Sequence, residues 1–556
     1  MTLISLLAAA VLGAASPALA ETDRRSAEPA EPDFSAMSTA PVAALEARTP
    51  AGGPDSATTR RIWLTAHDDE GKRMDFRELL SFIGRADAKD KAAAPSGLGG
   101  LAVYRVDTLA RASKAELLQA AGGAVLVWEG PERVRVSLPW PVRDDGFSTV
   151  WIDKGGDGYA DRDTILFNEE IALTQHRRLG ETLRWKQKHG KPPYTPGDKT
   201  RKLLSKADDL IADAKGERDQ ASRAKAFDKA LTAVSAAWQK MAFEHGAQAV
   251  AAAPSKDALR FGLTLDESAA AWTANAAWLS ETIDKAGADW ARLVFRANPH
   301  DFAYASERSF EPYDAIVSEL NLRGIKVMAC PLDTAQWPRN LTPEAYAARV
   351  ANLVRRYSDR VRSWEVGPEI NGDWLGGSRA PLGPQRVFEI FSAGAAAVKA
   401  ADPALETVAT LYWWDGTAPD EEHSLYGWLD RYLPQGFGKN LDVVSLSLQP
   451  EDNPVGMAFD EIFRNVSERL PDKKLMLGSF GYVEGDKVKG YWWLDPEDVD
   501  GGRKDLVLLY TAASCGQPGS LCGGFWWQTL DQMLLPSRRT TDLFLVYKRG
   551  LYQLGR

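Results

Sequence analysis

The chain has 556 residues, with 67 Lys and Arg against 76 Asp and Glu, a formal net charge of −9. That balance argues against a phosphate-neutralising nucleic-acid binder, which presents a basic surface. Three cysteines cannot staple a chain this long, and 44% hydrophobic residues is too rich for disorder.

The only long apolar run, Leu3 to Ala15, is too short to span a bilayer and leads to Ala18-Leu-Ala20. A small-x-small ending of this kind marks residues 1–20 as an expected signal peptide and the protein as expected in the periplasm or outside the cell, with no membrane span after cleavage. Residues 21–58, rich in Ala, Pro, Ser and acids, read as a disordered linker. From Thr59 to Arg162, short runs such as Arg61-Ile-Trp-Leu-Thr, Ala124-Val-Leu-Val-Trp and Ser148-Thr-Val-Trp-Ile suggest a small β-sandwich. Trp63, Trp128, Trp140 and Trp151 fit either its core or an accessory sugar-binding face. Asp153, Asp157 and Asp161, spaced by four around glycines, form a weak calcium candidate, with turn chemistry as the alternative. Residues 163–253 carry apolar positions at i, i+3, i+4 and i+7 and read as a helical connector.

Residues 258–556 alternate short apolar runs with helical stretches. The strand candidates begin at Arg260, Trp290, Ile325, Val361, Thr407, Leu441, Lys474 and Gly523. Eight such pairs predict a (β/α)8 TIM barrel, an α/β fold. A doubly wound sheet competes, but the first strand lacks a Gly-x-Gly-x-x-Gly turn. Chemistry in such barrels gathers where strands end. Those ends carry Arg296-Ala-Asn298-Pro-His300, Asp333, Gln336-Trp337, Glu369-Ile-Asn371, Trp413-Trp414-Asp415, Gln449-Pro-Glu451-Asp452, Tyr482 and Trp526-Trp527-Gln528. Aromatic faces beside hydrogen-bonding groups suit a sugar ring, so a polysaccharide or oligosaccharide is the expected partner and no cofactor is implied. Cys515 and Cys522, with six residues between them, suit a local disulfide or two buried thiols; Cys330 has no evident partner.

The run Tyr357-Ser-Asp-Arg-Val-Arg-Ser-Trp-Glu-Val-Gly-Pro368-Glu369-Ile-Asn371 resembles the fourth-strand motif of clan A-type glycoside hydrolases, which read Trp-Glu-Val-x-Asn-Glu-Pro-Asn. Phe310-Glu-Pro-Tyr-Asp314 and Gly324-Ile-Lys-Val are similar to family 39-like and family 5-like members. The resemblance implies that Glu369 is the general acid/base. It places Ser479, in Leu477-Gly-Ser-Phe-Gly481, where those enzymes carry the nucleophile Glu. Pro368 stands where they carry Asn, and Leu448-Gln449 where they carry His or Tyr. Ser is a poor substitute for a carboxylate nucleophile. Glu451, Asp452, Glu484 or Asp531 are candidate replacements from neighbouring loops.

Two functions follow: a glycoside hydrolase with atypical machinery, or a pseudo-glycosidase that binds glycan uncut. An unrelated barrel enzyme is a third. The substrate-binding candidates are Arg292, Asn298, His300, Trp337, Asn371, Trp413, Trp414, Gln449, Asp452, Tyr482, Trp526 and Trp527. A purely structural role for Glu369 would pair it with Arg292 or Arg379.

Overall fold

The computed structural model describes residues 59–83, 100–106, 110–112, 115–255, 258–266, 269–377, 379–482 and 498–555, without the side chains of 81, 82 and 269–274. The expected signal peptide and linker, and Glu484, lie outside the described residues.

Two antiparallel-rich sheets come first. One has the order β3-β4-β1-β7, from β1 (Thr59–Thr65), β3 (Glu116–Ala120), β4 (Gly123–Glu129) and β7 (Thr164–Leu166). The other has the order β2-β5-β6, from β2 (Ala102–Arg105), β5 (Val134–Val142) and β6 (Gly146–Ile152). Three helices follow: α1 (Phe167–His189), α2 (Asp198–Gly216) and α3 (Gln220–Ala252). The expected strands are present. The short strands β3 and β7 and a helix at Phe76–Ile83 appear in addition. They escape sequence reading because Glu116-Leu-Leu-Gln-Ala has only a single outward–inward cycle and Thr164-Ile-Leu is too short to show a period.

The sheet tryptophans do not form a sugar face. Trp128, Trp140 and Trp151 are buried, and only Trp63 is substantially exposed, at 41%. Nor do the three aspartates converge on a cation. The Asp153 carboxylate accepts from Arg177 at 2.6 and 2.7 Å and from Arg178 at 3.1 Å. Asp161 instead accepts the Arg61 backbone N–H at 2.9 Å. Among the described residues no group of three His, Cys, Asp or Glu could hold a metal ion.

The eight expected barrel strands all form: β8 (Arg260–Leu265), β9 (Trp290–Val294), β10 (Lys326–Cys330), β11 (Ser363–Gly367), β12 (Glu406–Tyr412), β13 (Val443–Leu448), β14 (Lys474–Phe480) and β15 (Ser520–Trp526). They are parallel and close in sequence order into one barrel, a (β/α)8 fold. Each strand is followed by a helix, for example Pro343–Tyr357 after β10 and Phe459–Arg469 after β13. Cys515 and Cys522 are joined by a disulfide, and Cys330 is a buried free thiol. Among the described residues no helix is long and apolar enough to cross a membrane.

The barrel interior is layered by strand alternation. At its base Arg260 pairs with Glu406 at 2.7 Å and lies over the Trp290 ring at 3.7 Å. Above them Trp290, Met328, Val408, Val443, Met476 and Phe525 form an apolar cluster. The next layer is polar. Arg292 donates to Glu365 at 2.6 Å, Thr410 donates to the other Glu365 oxygen, and Thr410 meets Ser445 at 2.5 Å. Gly478 is needed beside this layer, because a Cβ there would fall 2.3 Å from the Ser445 hydroxyl oxygen.

The described residues form one compact unit. The first sheets brace the loops at the barrel mouth. Thr149 of β6 donates its hydroxyl to the Pro454 carbonyl at 2.6 Å, and Ser137 of β5 donates to the Asp415 carboxylate. Trp151 packs edge-on against Trp413 with ring centroids 6.4 Å apart. The helices attach through Lys186–Asp460 at 2.7 Å and Trp238 donating to Asp460 at 2.8 Å.

Candidate active site at the barrel mouth

Glu369 stands two residues past the end of β11 and adopts φ +48°, a left-handed backbone that non-glycine residues rarely take. Such strain persists only where neighbours fix it, and it concentrates at functional sites. Here the fixing group is Asn371. Its amide donates to the carbonyls of Tyr412 at 2.9 Å and His423 at 2.8 Å, and its oxygen accepts the Tyr412 N–H at 2.7 Å. The Ile370 N–H adds a bond to the Thr410 carbonyl at 3.2 Å. The turn carrying Glu369 is thereby stitched to β12.

From that turn Glu369 reaches β13, where Ser447 donates its hydroxyl to Oε1 at 2.5 Å. Burial pushes the Glu369 carboxyl above its ordinary value, and Asp333 adds to the rise, while the Ser447 bond and Arg292 oppose it. A carboxyl raised by burial yet held by a donor is suited both to give and to take a proton. Arg292 forms its ion pair with Glu365 rather than with Glu369, on which it acts through its charge alone. Arg379, the other named partner, is exposed.

Tyr412, at the end of β12, lies beside Glu369. Burial raises its hydroxyl far above its usual range, and the charges of Asp452, Glu369 and Glu451 push it further. It donates to Asp452 at 3.2 Å. Its ring meets Trp374 and Trp414 nearly at right angles, at 5.2 and 5.3 Å, and those two indoles meet at 5.4 Å. Trp374 and Trp414 are each partly exposed and form an aromatic wall. Alternation along 413–415 explains the split: Trp413 and Asp415 turn to the first sheets while Trp414 turns to the mouth.

The β11–β13 side of the mouth thus holds Glu369, Ser447, Tyr412 and Asp452. In the closed strand order β15 is opposite β11, and β14 is its neighbour. The inner face there carries Ser479, the register partner of Ser447, and Trp527, which lies over the Arg292 guanidinium at 5.0 Å. Ser479 is buried, and its hydroxyl has no hydrogen-bond partner among the described residues. The Gln449 side-chain amide oxygen is likewise unpartnered among the described residues, and it lies against Gly481, where a Cβ would fall 3.3 Å from it.

Several expected sugar contacts are structural instead. Asn371 is fully buried as the stitch described above. Trp413 is enclosed against Trp151, and its Nε1 donates to the Pro454 carbonyl at 3.2 Å. Trp526 is buried, donating to Gln532 at 3.0 Å and meeting Phe480 edge-on. Trp337 is buried against Tyr346, and Tyr482 is wholly buried. Arg292 belongs to the polar layer below the mouth. Asn298 shapes its own turn, accepting the N–H groups of His300 and Asp301 at 3.0 and 3.3 Å; His300 is exposed. Strand-end position alone misled here, because successive residues at a strand end face opposite sides and only one of each Trp pair reaches the mouth. Asp531 is exposed, and Glu451 is buried.

Ser447, Tyr412, Trp374 and Glu365 are site residues that sequence reading passes over. The alternation Val443-Val-Ser445-Leu-Ser447-Leu is the signal for two inward hydroxyls on β13. Trp374 has no such signal, since it lies on a loop.

No family model matches the chain, and no curated protein matches its sequence. Solved structures do resemble about half of it. A GH53 catalytic domain from Ignisphaera aggregans shares 17% identity, with a TM-score of 0.37, over 51% of this chain and 88% of that one. A fungal β-1,4-galactanase shares 13%, with a TM-score of 0.39, over 52% and 99%. A β-glucosidase from Thermotoga maritima shares 12%, with a TM-score of 0.36, over 51% and 86%.

Proposed function

We propose that the chain is an exported glycoside hydrolase-like protein whose barrel mouth engages a polysaccharide or oligosaccharide, with Glu369 as its proton donor and acceptor. The observation that carries this reading is Glu369 itself: strained backbone, a half-buried carboxyl raised by its surroundings, a short bond from Ser447, and beside it Tyr412 with the aromatic wall of Trp374 and Trp414. A sugar ring stacks its C–H face on such indoles while its hydroxyls meet Asp452 and Gln449. The test is hydrolysis of aryl glycosides across a sugar panel by wild type and Glu369→Gln. Loss of at least about a hundredfold in kcat on losing the acid supports the role. Equal rates in both proteins reject it.

A second reading, a pseudo-glycosidase that retains glycan uncut, is favoured by Ser479, which brings a neutral hydroxyl to the face opposite Glu369. It predicts retention of a polysaccharide on affinity electrophoresis with no release of reducing ends. Export is tested by the cell fraction that holds the full-length protein.

A further inference from the structure

We propose that the glycan cleaved at this mouth carries a 2-acetamido group, whose own carbonyl oxygen attacks the anomeric carbon while Tyr412 and Asp452 hold the amide. This inference rests on the glycan-cleaving reading of Glu369 and names its substrate class.

Two observations lead to it. The first is what faces Glu369. The inner strand ends of β14 and β15 bring Ser479 and Trp527, and neither is a carboxylate. A serine becomes a nucleophile when a base hydrogen-bonds its hydroxyl. Ser479 is buried with that hydroxyl unpartnered among the described residues, so nothing there activates it. The second is what stands beside Glu369. Tyr412 and Asp452 form a donor–acceptor pair at 3.2 Å, long for an O–H···O bond. An amide offers the complementary couple, its N–H to the Asp452 carboxylate and its carbonyl to the Tyr412 hydroxyl. Its methyl group needs an apolar wall, and the Trp374 and Trp414 indoles adjoin Tyr412 at 5.2 and 5.3 Å.

The step balances. Glu369 gives its proton to the leaving oxygen as the C1–O bond breaks with its electron pair. The acetamido oxygen forms a new bond to C1, and Asp452 takes up the N–H proton, giving a cyclic oxazoline. Water then attacks C1, with Glu369 accepting its proton. The C1–O bond to the amide opens, Asp452 returns its proton to nitrogen, and the sugar leaves with its anomeric configuration retained. The nucleophile is tethered to the ring it attacks, an effective concentration no free group reaches. Acetamido-assisted hydrolysis is established chemistry for glycosides that lack an enzymic nucleophile.

The experiment uses the full-length protein on paired 4-nitrophenyl glycosides, 2-acetamido-2-deoxy and 2-hydroxy, in gluco and galacto series. The expected result is turnover of the acetamido substrates with retention by NMR and at least about a hundredfold slower turnover of the hydroxy pair. A thiazoline analogue of the cyclic intermediate should bind wild type by calorimetry, and Asp452→Asn should weaken it at least about tenfold with an unchanged circular dichroism spectrum. Comparable cleavage of the 2-hydroxy sugars, or inversion at C1, overturns the inference and leaves Glu369-dependent cleavage standing. Cleavage of neither class removes the cleavage reading and the inference with it.

Discussion

Arg292 of β9 reaches past β10 to Glu365 of β11, two strands away, and the pair meets at 2.6 Å with both side chains essentially out of water. Burial opposes the Arg292 charge, but Glu365 more than offsets it, so the guanidinium stays charged. The glutamate four residues before Glu369 thereby takes the cation, and Glu369 relies on a neutral serine. Breaking a buried pair strands a charge. Arg292→Met or Glu365→Leu alone should destabilise by about 3–5 kcal/mol, and the double replacement by far less. Urea unfolding of the three variants checks this, and additive losses would contradict it.

Ser447 sets the protonation of Glu369 from below. Its donated bond favours the charged carboxylate, against the burial that favours the neutral acid. Ser447→Ala removes the opposing influence, so the carboxyl should titrate at still higher pH. Carbon-13 NMR of labelled glutamate reads the shift. A downward movement would mean that Ser447 is not the donor.

Asp415 lies between β5 and the barrel with one carboxyl oxygen unpartnered among the described residues, and burial pushes it up to about 8. The fold therefore prefers the protonated acid. Its contribution to stability is full below the unfolded value near 3.8 and is lost as pH rises through about 8. Asp415→Asn is neutral throughout, so its melting temperature should overtake that of wild type as pH climbs. Parallel curves across that range would refute the assignment.

The adjacent indoles of Trp413 and Trp414 have separate duties. Trp413→Ala opens a cavity between barrel and sheets and should cost about 3–5 kcal/mol. Trp414→Ala should leave stability nearly intact and weaken glycan binding about tenfold, from the loss of one stacking face. Calorimetry with thermal melts separates the two, and the reverse assignment would move the binding surface.

The barrel was legible because eight apolar runs and their intervening helices repeat a period that composition cannot mimic. The place of Glu369, just past the fourth barrel strand, was legible through its motif. The side of the strand each neighbour faced was not. Asn371, Trp413 and Trp526 satisfy the pattern of sugar contacts, yet their side chains complete the backbone bonds and packing of loops that fold back from distant strands. Ser447 and Tyr412 lie inside recognised strands, and their importance comes from adjacency across the barrel, which no local window contains.

The contact of Trp151 with Trp413, and of Thr149 with Pro454, makes the wall of the mouth a joint product of chain segments some 260 to 305 residues apart. A fragment begun at residue 258 would lay bare one indole, the acid at 415 and the loop bearing Asp452. Deletion mapping of activity would then report a collapsed rim rather than the loss of an appendage. Cooperative unfolding in one calorimetric transition is the corresponding behaviour of the intact chain.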